Sequence, residues 1–219
     1  MVSESSAQQI ALRDPDVRLM LEVAQDDPRA FEELVLRYQS RVVAILQHLV
    51  GNRHQAEDLA QDVFLRVYRA RKRYKPTARF STWLYTIVNN VASNAMRSRN
   101  RRREVGLKLN AGESGQMQTV DDVIQASSGV MPARNLDRAE IRDVVRLALE
   151  ELNERQRLAV LLSKFEGMSY ADIGAALGMS PKAVKSLMTR ARTKLKEVLE
   201  PYLETGRLPI VRQSSETES

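Results

Sequence analysis

No cysteine occurs among the 219 residues, and His48 and His54 are the only imidazoles. Disulfides, thiolate-bound zinc and thiol redox sensing are thereby excluded, and two histidines that share no helical face are too few for a metal or catalytic cluster. The chain has no P-loop and no paired carboxylates in an apolar setting, so nothing equips it for chemistry, and neither an enzymatic activity nor a cofactor is expected. Tryptophan occurs once, and aromatic residues make up 5% of the chain. No window approaches the ~18 uninterrupted apolar residues of a membrane helix. The opening stretch "MVSESSAQQIALRDPD" lacks the basic segment and apolar core of a leader, so a cytoplasmic chain without membrane insertion is expected.

What is present is enough apolar material for a core, 43% of residues, with 34 basic against 28 acidic side chains and a net charge of +6. The apolar spacing is helical nearly throughout, which predicts an all-α protein. Asp27 and Pro28 make a start signal, and Phe31, Leu34, Val35, Tyr38, Val42, Ile45, Leu46 and Leu49 recur on one face until Gly51. A second helix follows Asn52 and ends in the basic turn "RARKRYKP", and a third runs from about Ser81 into "MRSRNRRR". With a short helix over residues 16–25, these predict a first domain over 16–104 after a disordered stretch at 1–15. Residues 105–134 lose the periodicity and gain glycine, serine and acid, as a flexible linker would. Order resumes in a second small domain, 135–204, before a disordered tail at 205–219.

The second domain carries the more specific pattern. In "SYADIGAALGMSPKAVKSLMTRARTKLK", Tyr170, Ile173 and Leu177 mark the inner face of a short helix, Gly174 is small where another segment crosses, and Gly178 permits a turn. Ser180 before Pro181 caps the next helix, which buries Val184, Leu187 and Ala191. Lys182, Lys185, Ser186, Thr189, Arg190 and Arg192 are left pointing outward, without a carboxylate among them. A helix-turn-helix reading duplex DNA through the major groove is expected, because phosphates need cations and base edges need forked donors. In the first domain, Phe80, Trp83 and Tyr85 lie near two outward amides, Asn90 and Asn94, and an arginine run from Arg97 to Arg103. Stacking surfaces, amides and cations suit single-stranded nucleic acid, although aromatics at helical spacing serve equally as core.

The segments "DDPRAFEELVLRYQSRVVAIL", "AEDLAQDVFLRVYRARKRY", "FSTWLYTIVNNVASNAMR" and "LNERQRLAVLLSKFEGMSYADIGAALGMSPKAVKSLMTRARTKLK" resemble, in order, the motifs of bacterial extracytoplasmic-function (ECF) sigma factors of the sigma-70 family. The resemblance covers about residues 16 to 202. It implies a transcription initiation factor that binds core RNA polymerase, through the beta-prime coiled coil and the beta flap, and recognises promoter DNA. It places Gln55, Glu57, Asp58, Gln61, Asp62 and Phe64 against the coiled coil, and Asp58 and Asp62 lie one turn apart, as a basic partner helix would require. It places Lys75, Thr77, Ala78, Arg79 and Phe80 around a base flipped from the minus-ten element, with Trp83 and Arg97 beside them and Asn90 and Asn94 as readers. Ser180, Lys182, Lys185, Ser186, Thr189, Arg190 and Arg192 would meet the minus-thirty-five duplex.

Lys185 stands where the family often has arginine, and lysine lacks the bidentate fork that favours guanine, so looser base reading is expected there. Family members are commonly held by an anti-sigma factor, which is therefore expected as a partner. The rival reading is a helix-turn-helix regulator with an N-terminal interaction domain. It would need a self-complementary apolar face or a ligand pocket in that domain, where the sequence instead offers an acidic patch and an arginine cluster.

Overall fold

The computed structural model describes residues 9, 13–110 and 138–205, and every regular element among them is helical. Helix α1 spans Pro15–Ala24, α2 Pro28–Val50 and α3 Arg53–Ala70. A single 3-10 turn at Arg71–Arg73 leads towards α4, Phe80–Asn110. Then come α5 (Arg138–Glu150), α6 (Glu154–Phe165), α7 (Tyr170–Leu177) and α8 (Pro181–Thr205). Helix α4 runs six residues past position 104, where the loss of apolar period suggested an end. The expected linker and disordered ends otherwise lie largely outside the described residues.

The helix boundaries follow from their caps. The Asp27 carboxylate accepts from the amides of Arg29 and Ala30, Pro28 takes the first-turn position, and Gly51 ends α2 at φ 78°. The Asn52 side chain accepts from Gln55 N–H to start α3. Asn153 and Gln156 exchange a reciprocal capping box at α6. Asp14 serves two helices, since Oδ1 accepts from Asp16 N–H at 3.0 Å and Oδ2 from Phe80 N–H at 2.9 Å.

Helices α1 to α4 close around Met20, Leu34, Leu46, Val63, Leu84, Tyr85 and Val88, all essentially inaccessible. Helices α6 to α8 close around Leu158, Leu161, Leu162, Ile173, Val184 and Met188. The two halves touch: α4 packs on α7, and α2 meets α5 and α6. No described helix is long and apolar enough to cross a membrane.

Candidate nucleic-acid interface

The turn between α7 and α8 is built as the residue types require. Ser169 caps α7 by accepting from Asp172 N–H, and Gly178 ends it in the left-handed region at φ 65°. Ser180 Oγ accepts from Ala183 N–H at 3.2 Å to open α8. Val184, Leu187, Met188 and Ala191 are buried, while Lys182, Lys185, Ser186, Thr189, Arg190 and Arg192 are exposed. Lys182, Lys185 and Arg190 have no carboxylate partner among the described residues, whereas Lys194 and Lys196 lie 3.8 and 3.7 Å from Glu151 and Glu200. The unpaired positive charge is thus concentrated on the first three turns of α8. Two of the expected readers are partly engaged within the protein: Thr189 donates to the Lys185 carbonyl at 3.0 Å, and Arg192 donates to the Tyr170 hydroxyl at 2.9 Å.

A second polar surface lies at the start of α4. Lys75, Thr77 and Arg79 are exposed and Ala78 is half-buried in the loop that precedes it, where Thr77 N–H donates to the Lys75 carbonyl at 2.8 Å. Phe80 departs from expectation. It is 1% exposed and packs edge-on against Tyr38, with ring centroids 5.3 Å apart, so it belongs to the core and cannot flank a base. Trp83 is half-buried and meets Tyr74 at 4.9 Å and Phe80 at 5.9 Å. One part of its ring therefore belongs to an aromatic cluster and another part remains at the surface. Burial holds the Tyr74 hydroxyl well above the usual phenol range, so it stays neutral. Further along α4, Asn90, Asn94 and Arg97 are exposed, and Arg97 Nη2 donates to Asn94 Oδ1 at 3.0 Å. The Asn94 carbonyl is thus engaged by the arginine, while its amide protons have no partner among the described residues.

The third surface is a cleft of ≈ 1090 Å³ between α2 and α3. Phe31, Val35, Val43, Phe64, Leu65 and Tyr68 give it apolar walls, and Arg53, Glu57 and Gln61 stand at its polar margin. Leu65 is 53% exposed and Tyr68 39% exposed, a large apolar presence for a surface. The acidic patch read from the sequence is less uniform than its spacing suggested. Glu57 pairs with Arg53 at 2.9 Å and Asp62 with Arg66 at 3.0 Å, which leaves Asp58 as the carboxylate of the group without an ion-pair partner among the described residues. Sequence reasoning missed the apolar walls because Phe31 and Val35 follow the same period as the buried stripe of α2.

Residues 34–102 match the family model described as sigma-70 region 2, and residues 142–195 match that described as sigma-70, region 4. Over 191 residues the chain is 32% identical to the RNA polymerase sigma-H factor of Pseudomonas aeruginosa, covering 87% of this chain and 97% of that one. It is 29% identical to the ECF RNA polymerase sigma-E factor of Escherichia coli (strain K12), covering 86% and 96%. The chain belongs to the ECF sigma factors of the sigma-70 family. This sigma factor is also 38% identical to the RNA polymerase sigma factor CarQ of Myxococcus xanthus, over 84% of its own length and 96% of the relative's. Among solved structures it resembles the sigma factor RpoE of Bartonella quintana, solved in complex with the anti-sigma factor NepR. The TM-score is 0.57 at 27% identity, over 81% and 98% of the two chains. It shares a fold with CnrH, solved in complex with the cytosolic domain of CnrY, at a TM-score of 0.62 and 24% identity over 85% and 98%. The helix-turn-helix lies within the part of this sigma factor that matches region 4, and Asn90, Asn94 and all of α3 lie within the part that matches region 2, whereas Asp26, Pro28 and Phe31 of the cleft precede it.

Proposed function

We propose that this sigma factor docks on core RNA polymerase through the α2–α3 cleft, reads the minus-thirty-five duplex with α8, and opens the minus-ten element along α4. The observation that carries this reading is the division of labour among the three surfaces. An apolar cleft suits a protein partner. A capped helix with unpaired cations suits a major groove. Two exposed amides beside an arginine suit unpaired bases.

At the cleft, Leu65, Tyr68 and Phe64 supply contact area, while Gln55, Glu57, Asp58, Gln61 and Asp62 form the polar rim that sets register. The beta-prime coiled coil fits this description as a partner helix pair. On the C-terminal half, the exposed Phe165 at the end of α6 is a contact for the beta flap. On α8, Lys182 and Lys185 hold phosphates, and Arg190 has the free guanidinium for base reading; Ser180, Ser186, Thr189 and Arg192 line the same face. At the minus-ten element, Lys75, Arg79 and Arg97 hold the backbone, and the loop Thr77–Ala78 borders the space for an extruded base. Trp83 offers its outer ring face, and Asn90 and Asn94 meet base edges. No fuel is needed, because capture of extruded bases offsets unstacking costs of a few kcal/mol per step.

An anti-sigma factor is the regulatory partner that fits, and the support is that the Bartonella relative was solved with one. The test is to combine the purified chain with core polymerase, map transcript starts on genomic DNA, and repeat with Asn90→Ala plus Asn94→Ala. Wild type is expected to initiate at a shared pair of elements. The double variant is expected to bind core normally and to fail on duplex promoters, with partial recovery on a pre-melted bubble. Initiation that never depends on the added chain would refute the reading.

A further inference from the structure

A cavity of ≈ 390 Å³ lies at the seam where the end of α2 meets α4, α5 and α6, a size within the range of small-molecule pockets. Leu49, Val50 and Leu149 give it apolar wall. Arg99, Arg146, Arg157 and His48 bring basic side chains to it, against Glu150 as the one carboxylate among the described lining residues. The helix ends explain part of this basic set. Arg157 Nη1 donates to the His48 carbonyl at 2.8 Å, and Nη2 donates to the carbonyls of Glu150 at 2.7 Å and Leu152 at 3.1 Å. Arg99 Nη1 donates to the Val50 carbonyl at 3.1 Å. The two guanidiniums thus serve carbonyls at the C-terminal ends of α2 and α5, where the helix dipole favours a cation.

Capping does not account for the charge. Each helix end offsets only about half a unit of it, and Glu150 offsets about one more, so three guanidiniums leave an excess of about one positive charge. Asp143 lies 3.9 Å from Arg146 and is 62% exposed, which makes its contribution small. Arg157 is where the excess is least tolerable. Its guanidinium is half-buried, its hydrogen bonds among the described residues all go to neutral carbonyls, and Nε is buried without a partner there. Burial holds this group below its ordinary value, with Glu150 and then Glu154 opposing. A desolvated cation with a spare donor is costly until an anion completes it. We propose that the cavity binds a small phosphate-bearing anion, held by Arg99, Arg146 and Arg157. Guanidinium forks offer paired N–H donors that match phosphate oxygens, and a phosphate supplies the charge that the carbonyls lack. The lining comes from four helices, so the source is a free molecule rather than a DNA strand. The site goes beyond the sigma reading and does not depend on it, since it shares only Ala44 and Gln47 with the α2–α3 cleft and none of the residues assigned to DNA.

The test uses the full chain with pyrophosphate as the probe, read by calorimetric titration and thermal melts, and sodium chloride at matched ionic strength as the reference for screening. Pyrophosphate is expected to bind saturably and to raise the melting temperature as its concentration rises, as a ligand of the folded state does. Arg146 is exposed and its ion pairs are long, 3.6 Å to Glu150 and 3.9 Å to Asp143, so Arg146→Gln should keep the fold. Its affinity for pyrophosphate should fall about tenfold, as for one lost hydrogen bond to a charged group. Glu150→Gln keeps the main-chain carbonyl that Arg157 uses and removes the carboxylate. It should tighten pyrophosphate binding by about fivefold, a gain that a misfolded chain would not give. A single-stranded minus-ten oligonucleotide separates the two sources of phosphate, and its affinity for the Arg146→Gln chain should equal that of wild type. The site is refuted if pyrophosphate shifts the melt no more than matched sodium chloride, or if Arg146→Gln and Glu150→Gln both leave its affinity unchanged. Equal loss of oligonucleotide and pyrophosphate binding in Arg146→Gln would make DNA the source of the phosphate and overturn the free anion.

Discussion

A Cβ on Gly174 would lie 2.6 Å from the carbonyl oxygen of Met179. Helix α7 is thus pressed against the backbone of its own turn, and hydrogen replaces a side chain because the obstacle is main chain and cannot rotate away. Gly174→Ala should push the turn outward and tilt α8 on α7. Overpacking of this kind costs about 1–3 kcal/mol. A lowered melting temperature together with weakened duplex binding, measured by calorimetry and by fluorescence anisotropy, is the expected pair of results.

Phe80 and Trp83 separate by role. Phe80→Ala removes a fully buried ring from the contact with Tyr38 and should cost about 3–5 kcal/mol in denaturant unfolding. Trp83→Ala should cost less, since its ring is half-buried, yet it should lose affinity for single-stranded minus-ten oligonucleotides by about 1–3 kcal/mol. Equal stability loss with unchanged oligonucleotide binding would make Trp83 a purely structural residue.

Leu65 and Asp58 report on the docking cleft. Leu65→Lys replaces an exposed apolar side chain, so stability should change by no more than about 0.5 kcal/mol. Competition against wild type for core polymerase should nevertheless fall by about tenfold or more, as at an interface anchor. Asp58→Lys should lose less, mainly in association rate, because a rim charge steers approach.

His48 gives the seam a pH dependence. Burial first, then the neighbouring Arg157 and Arg146 charges, hold its imidazole below the ordinary value, and Glu150 opposes them. A depressed folded-state value means that the unfolded chain takes up the proton first. The associated stability is fully present above about pH 6.5 and declines as pH falls towards the folded-state value. Thermal melts from pH 7.5 to 5.5 should show a falling melting temperature, and His48→Gln should reduce that fall.

The parts most legible in the sequence were those governed by local backbone rules. Asp27–Pro28, Asn52, Gly178 and Ser180 each act within a few residues of themselves, so their types alone announced the helix starts and the turn, whereas the Ser169 cap of α7 went unread. The outward set on α8 followed from period and charge in the same way. Phe80 was misread because an aromatic at a helix start looks the same whether it meets a base or Tyr38, which lies 42 positions earlier. The cleft joins residues of two helices, and Arg41 meets Glu166 across 125 positions. Neither has a periodic signature, because such pairings are set by how faces dock rather than by spacing along one helix.

Trp83 is the chain's single tryptophan, and it stands at the corner of α4 with Tyr74 on one side and solvent on the other. Excitation at long ultraviolet wavelengths therefore interrogates one place in the molecule, without a label and without a background from other indoles. On the proposed reading, intrinsic emission would serve as a local optical probe of strand loading: a base stacked on Trp83 should quench it, while duplex bound only at α8 should leave it unchanged. The order in which the two elements are engaged can then be followed in real time by stopped flow on the unmodified protein.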